Sequence, residues 1–206
     1  MPLLVAGPGV AAGGRVDIPT SHVDLIPTLL GVAGIDVVEA AAKVAVSHDE
    51  THPLPGRDLS GVVLGTAAAA SLESPIYFMT EDDVTRGVTQ VNILNGTPFE
   101  PISPPINIES VITTLPTGDG GAPELWKLNH YYERLDAWYK DQGVAPNPFL
   151  PAAAEPEWEL HNLTVDPEER TNQAREASAT LSNLKSVIES ERDAKRLIPK
   201  LRNITP

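Results

Sequence analysis

Two stretches of this sequence combine side chains that could hold a cation. The first, Ser47-His-Asp-Glu-Thr-His52, places two histidines around two carboxylates, which suits zinc or nickel if the segment is helical. Pro53 and Pro55 follow directly and favour a loop, in which the two rings do not share a helix face. We therefore expect a solvated loop here, with a metal site as the alternative.

The second stretch, Thr80-Glu-Asp-Asp-Val-Thr-Arg86, lies between two segments of β-type sequence. Carboxylates such as those of Asp82 and Asp83 can hold a cation or transfer a proton, and a guanidinium such as that of Arg86 can bind an anion. Adjacent acids on a loop are more often solvated charges, so a surface loop is the alternative.

The first 34 residues have the pattern of a β-strand followed by a helix. Leu3–Ala6 is a short apolar run that ends at Gly7, which is typical of a buried strand in a parallel sheet. Residues 22–33 carry apolar side chains on two faces of a predicted helix, so this helix must be largely buried.

The ends of this helix have recognisable signals. Ser21 can cap its start, and the carboxylate of Asp24 can reach back to the amide of the cap. Pro27 is compatible with a helix only near its first turn, and Gly34 is a natural left-handed stop. His22 and Asp24 point to different sides of such a helix, which predicts a cap or core histidine rather than a general base.

The rest of the chain changes from helical to twofold periodicity. Residues 36–70 are rich in Ala, Gly and Pro, which predicts a connection with a turn at residues 54–59 and a short helix at residues 61–64. Four later segments have β-type sequence: Ile76–Thr80, Arg86–Leu94, Trp126–Tyr132 and Trp158–Leu163. The aromatic residues between 126 and 139 predict a core under a helix rather than a stacking platform.

One long helix is predicted near the end of the chain, with Thr171 as its cap. Its apolar side chains recur at helical spacing, while three charged residues, Lys185, Glu189 and Arg192, are predicted to face solvent. The apolar stripe consists of Ala177, Leu181, Leu184 and Ile188. A helix with one apolar stripe needs a sheet face to pack on, and the antiparallel strands supply it.

Composition excludes several classes of function. The 28 acidic residues outnumber the 15 Lys and Arg, and the net charge of −13 argues against binding to nucleic acid or to an anionic membrane. The absence of cysteine excludes a disulfide framework and a cysteine nucleophile in this chain. No signal peptide or spanning segment is recognisable, so we expect a soluble chain of unknown compartment.

Three motifs, in order, resemble the sulfatases of the alkaline-phosphatase superfamily. Two of them resemble the end of the catalytic domain. The first of these consists of two runs, Pro2-Leu-Leu-Val-Ala-Gly-Pro-Gly9 and Thr20-Ser-His-Val-Asp-Leu-Ile-Pro-Thr-Leu-Leu-Gly-Val-Ala-Gly34, and the second is Leu54-Pro-Gly-Arg-Asp-Leu59. The third, Trp158-Glu-Leu-His-Asn-Leu163 with Asp166-Pro-Glu-Glu-Arg-Thr-Asn172, resembles the signature of the C-terminal subdomain, with His161 where Tyr or Asp is common. The resemblance is weakest over residues 81–142.

The resemblance implies a chemistry whose central groups are missing from this sequence. Sulfatases use a formylglycine made from the first residue of a Cys/Ser-x-Pro-x-Arg motif, a calcium ion held by Asp and Asn, and basic residues on the sulfate. This chain has no cysteine and no Ser-x-Pro-x-Arg motif. No catalytic residue, metal ligand or cofactor is therefore predicted within it, and we expect the chain alone to be inactive.

The resulting prediction is the C-terminal part of a sulfatase, cut or mis-started just after the catalytic half. Its fold is an α/β remnant, the last strand and helix of a catalytic α/β sheet at residues 1–71, followed at residues 72–206 by an α+β subdomain with a small antiparallel sheet and a C-terminal helix. The implied partners are the missing N-terminal catalytic half and a small sulfated substrate, with Asp82, Asp83 and Arg86 as candidates at the mouth of its pocket.

Two alternatives remain open at the level of sequence. The chain could be a catalytically empty module that binds a partner on its own. The parent enzyme could also hydrolyse phosphate or phosphonate esters, because these motifs do not encode the leaving group.

Overall fold

The computed structural model describes residues 3–48, 51–80, 107–117, 120–132 and 156–195. The chain forms two compact units: unit 1 consists of Met1–Ile76 with Asp193–Pro206, and unit 2 consists of Tyr77–Arg192. Helices come first along the chain, then a four-stranded antiparallel sheet and a C-terminal helix, so the fold class is α+β.

Unit 1 is organised around helix α1, Leu25–Val32, which follows a 3-10 turn at His22–Asp24. The backbone N–H of Ser21 donates to Oδ2 of Asp24 at 2.9 Å, which is the predicted contact at the helix start. Pro27 lies in the first turn of α1, where an N–H has no intrahelical partner to lose. The proline is therefore compatible with the helix.

Helix α1 ends at the predicted glycine. Gly34 has φ of 69°, and its N–H donates to the carbonyl of Gly31 at 3.0 Å. The N–H of Ile35 donates to the carbonyl of Leu30 at 2.9 Å. This pair of bonds satisfies carbonyls in the last turn and requires a left-handed residue at position 34.

Helix α2, Val37–Ala45, lies in the segment predicted to be an irregular connection, and that prediction is wrong for these residues. Oδ1 of Asp36 accepts from the N–H of Glu39 at 2.8 Å and caps the helix. Glu39 and Lys43 form an ion pair one turn apart at 2.9 Å. The predicted short helix further along is helix α3, Ser60–Val63.

Leu3–Ala6 does not form the predicted buried strand. These residues have no regular structure, and Leu4 is 93% exposed. A strand needs a neighbour that pairs with its backbone amides and carbonyls. The sheet in the described part of the chain is built from four other segments, so this run has no partner strand there.

The sheet of unit 2 has the strand order β1-β2-β3-β4. The strands are, in this order, Ile76–Thr80, Asn107–Leu115, Glu124–Tyr132 and Glu157–Asn162. Strand β1 begins at Ile76, one residue before the first residue of unit 2. Strand β3 lies between β2 and β4 and is antiparallel to both, with Leu128 opposite Val111 and Leu160. The sequence predicted β1, β3 and β4 to within two residues, but it did not predict β2.

The core of unit 2 lies between this sheet and helix α4, Ser178–Lys195. The predicted apolar stripe faces the sheet, and Leu184 and Ile188 are fully buried there. The strands contribute Val111, Trp126, Leu128 and Leu160. The predicted role of the stripe and of Trp126 is therefore confirmed.

The start of α4 differs from the prediction. The helix begins at Ser178 rather than after Thr171, whose carbonyl instead accepts a hydrogen bond from Nδ1 of His161 at 3.1 Å.

No single helix among the described residues is long and apolar enough to cross a membrane. The helices His22–Val32 and Val37–Ala45 reach the required length and apolar composition only when they are taken together, and a 99° bend separates them.

Candidate functional site

Two of the sequence motifs meet in unit 1 at a buried ion pair between Asp24 and Arg57. Nη2 of Arg57 lies 2.7 Å from Oδ2 of Asp24, and the backbone N–H of Arg57 donates to Oδ1 at 2.7 Å. The same guanidinium donates to the carbonyls of Pro19 at 2.9 Å and Leu72 at 3.1 Å. Arg57 therefore fixes the start of α1 to two other segments of unit 1.

Glycines allow this close approach of the two motifs. A Cβ at Gly56 would lie 1.9 Å from the backbone oxygen of Val23, so no larger residue fits without moving the backbone. A Cβ at Gly31 would lie 2.4 Å from Oδ2 of Asp58. Close packing against the backbone of Val23 thus explains Gly56, whereas at Gly31 the nearest atoms belong to side chains.

The carboxylate of Asp24 acts as a structural anion. Its burial raises its pKa, but hydrogen bonds from the side chain and backbone of Arg57 and from the backbone of Ser21, together with the charge of Arg57, hold the pKa below its usual range. Both oxygens of Asp24 accept hydrogen bonds within unit 1. This arrangement leaves Asp24 unsuited to act as a base or a metal ligand.

A second polar cluster lies in unit 2 around Glu109, whose side chain is 1% exposed. Nε of Arg192 donates to Oε1 of Glu109 at 2.6 Å, and Nη2 of Arg192 donates to Oε2. The hydroxyl of Tyr77 donates to Oε1 at 2.6 Å. Arg192 was predicted to face solvent, and that prediction is wrong because its guanidinium pairs with the buried carboxylate of Glu109 on β2.

The cluster strongly favours the ionised form of Glu109. Burial raises the pKa of Glu109, but the neighbouring His130, the hydrogen bonds from Arg192 and Tyr77, and the charge of Arg192 lower it to about 2. The same pair raises the pKa of Arg192. Glu109 therefore holds helix α4 against β1 and β2 and does not act as a proton donor near neutral pH.

Aromatic rings continue from this cluster across the helix-facing side of the sheet. The ring of His130 stacks on Trp158, with centroids 3.9 Å apart, and on Tyr132 at 4.8 Å. Nζ of Lys185 lies 4.2 Å from the centroid of Trp158. Nδ1 of His130 lies 3.6 Å from Oε2 of Glu109, which is too far for a hydrogen bond. Stacking rather than ligand binding occupies these ring faces.

The opposite face of the sheet carries a row of polar side chains. The hydroxyl of Ser110 donates to Oδ1 of Asn129 at 2.7 Å, and Nδ2 of Asn129 lies 3.3 Å from Oε2 of Glu159. Tyr131 donates to the same oxygen at 2.8 Å. Burial and the charge of Glu159 raise the pKa of Tyr131 to about 12. This serine bonds an amide rather than a histidine, so the row is not a nucleophile activated by a base.

The predicted pocket-mouth residues Asp82, Asp83 and Arg86 lie outside the described residues, as does the predicted strand Arg86–Leu94. Of the histidine pair, His48 lies near Val44 and Ser47, while Asp49 and Glu50 between the two histidines lie outside the described part. His22 is exposed and is therefore not a core histidine. The predicted site at Asp82, Asp83 and Arg86 therefore stays a prediction.

The groups that the resemblance implies do not fit the residues present. Formylglycine is made from a cysteine or serine in a specific motif, and the chain contains neither a cysteine nor that serine motif. Among the described residues, no three His, Asp or Glu side chains converge to hold a metal ion. The sequence lacks the formylglycine motif, and the described residues do not form a calcium site.

Sequence reasoning missed the role of Glu109 and Arg192, which are 83 residues apart in the chain. The only available signal was a charged residue, Glu109, inside a β-type stretch that continues as Val111–Leu115. Pairing it with Arg192 required knowledge of how α4 lies on the sheet.

Comparison with known proteins finds similarity to a sulfatase over part of the chain. No family model matches the chain. Over 62 residues it is 36% identical to "Arylsulfatase K" of Danio rerio, in an alignment that covers 26% of this chain and 12% of that protein. The structure of BT4656 in complex with its substrate D-glucosamine-2-N,6-O-disulfate superposes with a TM-score of 0.44 and 15% identity, over 82% of this chain and 23% of that one.

The identity to arylsulfatase K supports the resemblance that the motifs predict, over 62 residues of this chain. The alignment covers 12% of the length of arylsulfatase K. The similarity therefore concerns a segment rather than a whole enzyme.

Proposed function

We propose that this chain is the C-terminal part of a sulfatase-family hydrolase of sulfate esters. Residues 1–71 would form the end of its catalytic α/β domain, and residues 72–206 would form its C-terminal subdomain. The observation that carries this proposal is the 36% identity over 62 residues to arylsulfatase K, in a chain whose ordered motifs resemble the same family.

The surface of unit 1 supports the proposal. Only Asp24, Pro27 and Leu59 are buried among the described residues of this unit. The apolar side chains of α1 are exposed by 39% at Leu25 and 66% at Leu29. Each uncovered Leu, Ile or Val forgoes about 1.5–3 kcal/mol of burial free energy. A helix with this surface is suited to pack against the remainder of a larger domain.

The residues present indicate which groups this chain would supply to the parent enzyme and which it would not. The nucleophile, the calcium ligands and the bases on the sulfate would belong to the remainder of the parent enzyme, because this chain lacks the motif that carries formylglycine. This chain would contribute structural support through Arg57 and Glu109. Its direct contact with a small sulfated substrate would come from Asp82, Asp83 and Arg86 at the mouth of the pocket.

The protein isolated from its natural source provides the test. Mass spectrometry should detect peptides that precede Met1 in frame, one of them carrying Cys/Ser-x-Pro-x-Arg, and this longer protein should hydrolyse 4-nitrophenyl sulfate faster than 4-nitrophenyl phosphate. The purified 206-residue chain is the matched control and should give no turnover above background.

Three results would contradict the proposal. A natural protein without such peptides would favour the catalytically empty module. A preference for the phosphate ester or for a phosphonate ester would move the parent to another class of hydrolase. Turnover of 4-nitrophenyl sulfate that rises in proportion to the purified 206-residue chain would show that the chain contains a complete site.

A further inference from the structure

The outer edge of strand β4 is not open, although among the described residues β4 has a strand neighbour on one side only. The described loop after β4 turns back along this edge. The N–H of Gln173 donates to the carbonyl of Leu160 at 2.8 Å, and the N–H of Asp166 donates to the carbonyl of Asn162 at 2.8 Å. The loop thus supplies two of the bonds that a fifth strand would make.

The side chain of Asn172 supplies two more bonds. Its Oδ1 accepts from the N–H of Leu160 at 3.0 Å, and its Nδ2 donates to the carbonyl of Trp158 at 3.1 Å. A carboxamide has the same acceptor and donor as a peptide group, and here it presents both to one strand edge. Oδ1 also accepts from the N–H of Ala174 at 2.9 Å, which fixes the orientation of the amide.

Further bonds hold the loop in this position. Oδ1 and Oδ2 of Asp166 accept from the backbone N–H groups of Arg170 at 3.1 Å and Thr171 at 2.9 Å. Glu169 has φ of 55°, a conformation that is uncommon for a residue with a side chain, and its carboxylate forms an ion pair with Lys127 on β3 at 2.7 Å. These bonds place the loop beside β4, where the bonds to the N–H of Leu160 and to the carbonyl of Trp158 come from Asn172.

We propose that Asn172 substitutes for a fifth strand and prevents the outer edge of β4 from accepting a strand of a second copy of this chain. Unpaired strand edges readily pair with other chains, and proteins commonly cover them. A strand added at this edge would need the N–H of Leu160 and the carbonyl of Trp158, and Asn172 occupies both. This inference does not depend on the proposed sulfatase function.

Hydrogen exchange and sedimentation of the full chain test the proposal. At low protein concentration, where Asn172→Ala is monomeric, the amide of Leu160 has lost its acceptor and should exchange at least tenfold faster, whereas the amide of Leu128 in the middle of the sheet should keep its rate. The variant should also form dimers at concentrations where the wild type does not. Asn183→Ala, which changes an exposed asparagine on α4, is the matched control and should behave like the wild type.

The opposite results would overturn the proposal. These are an unchanged exchange rate at Leu160, an equal acceleration at Leu128, or a monomeric Asn172→Ala at every concentration. If Asn172→Ala does not fold, Asn172→Asp decides. Asn172→Asp keeps the acceptor for Leu160 but loses the donor to Trp158, so we expect a protected Leu160 amide together with dimers. Rapid exchange at Leu160 or a strictly monomeric Asn172→Asp would refute the role of Asn172.

Discussion

Replacing Arg192 by alanine tests whether the buried ion pair holds unit 2 together. Arg192 provides two of the hydrogen bonds to Glu109, whose carboxylate is 1% exposed. After the substitution only the bond from Tyr77, at 2.6 Å, remains among the short contacts. Removing one partner of a buried pair typically costs about 3–5 kcal/mol, because the other charge is left buried without compensation. We expect a loss of that size in the free energy of unfolding at pH 7.

Urea titration followed by the fluorescence of Trp126 and Trp158 measures this loss, because both side chains belong to unit 2. Arg175→Ala removes an exposed arginine from the turn before α4 and should change the free energy by less than about 0.5 kcal/mol. The double variant Glu109→Leu/Arg192→Met should recover much of the stability, since it removes both charges. A loss below about 1 kcal/mol in Arg192→Ala would refute the reasoning.

Three further outcomes are expected. The pKa of Glu109 is lowered from 4.5 to about 2, so its ionised form contributes about 3 kcal/mol to the free energy of unfolding above pH 4.5, and this contribution is lost as the pH falls toward 2. In an acid titration, Glu109→Gln should lack this loss of stability. Identical acid profiles of the variant and the wild type would contradict the prediction. Gly56→Ala should accelerate hydrogen exchange throughout α1, whereas Gly7→Ala, where a Cβ meets no atom within 4 Å, should not. Calcium should leave the melting temperature of the chain unchanged; a rise of several degrees would indicate a site at Asp82 and Asp83.

Local signals in the sequence were sufficient for the elements that carry them. Ser21, Asp24 and Gly34 mark the start and end of α1 because their contacts involve residues only a few positions away. The stripe of α4 was readable because burial of a helix repeats every three or four residues. The ordered motifs also indicated the resemblance to sulfatases, which the 36% identity to arylsulfatase K over 62 residues supports.

Other local signals were present but were misjudged. Asp36 with Glu39 is a capping pattern before an alanine-rich run, yet the surrounding Gly and Pro favoured an irregular connection over α2. Leu3–Ala6 has the composition of a buried strand, but composition does not provide a pairing partner. The formation of a strand depends on hydrogen bonds with another segment, and its own residues cannot supply them.

Only the tertiary structure decided which polar residues act together. Asp24 pairs with Arg57 across 33 positions, and Glu109 pairs with Arg192 across 83. A charge on a helix appears solvated in sequence, because the pattern of its own helix does not reveal a carboxylate on a distant strand. Burying an unpaired charge costs free energy, so a buried charge is stable only beside a partner of opposite charge. The packing of elements in the tertiary structure determines which partner lies within reach.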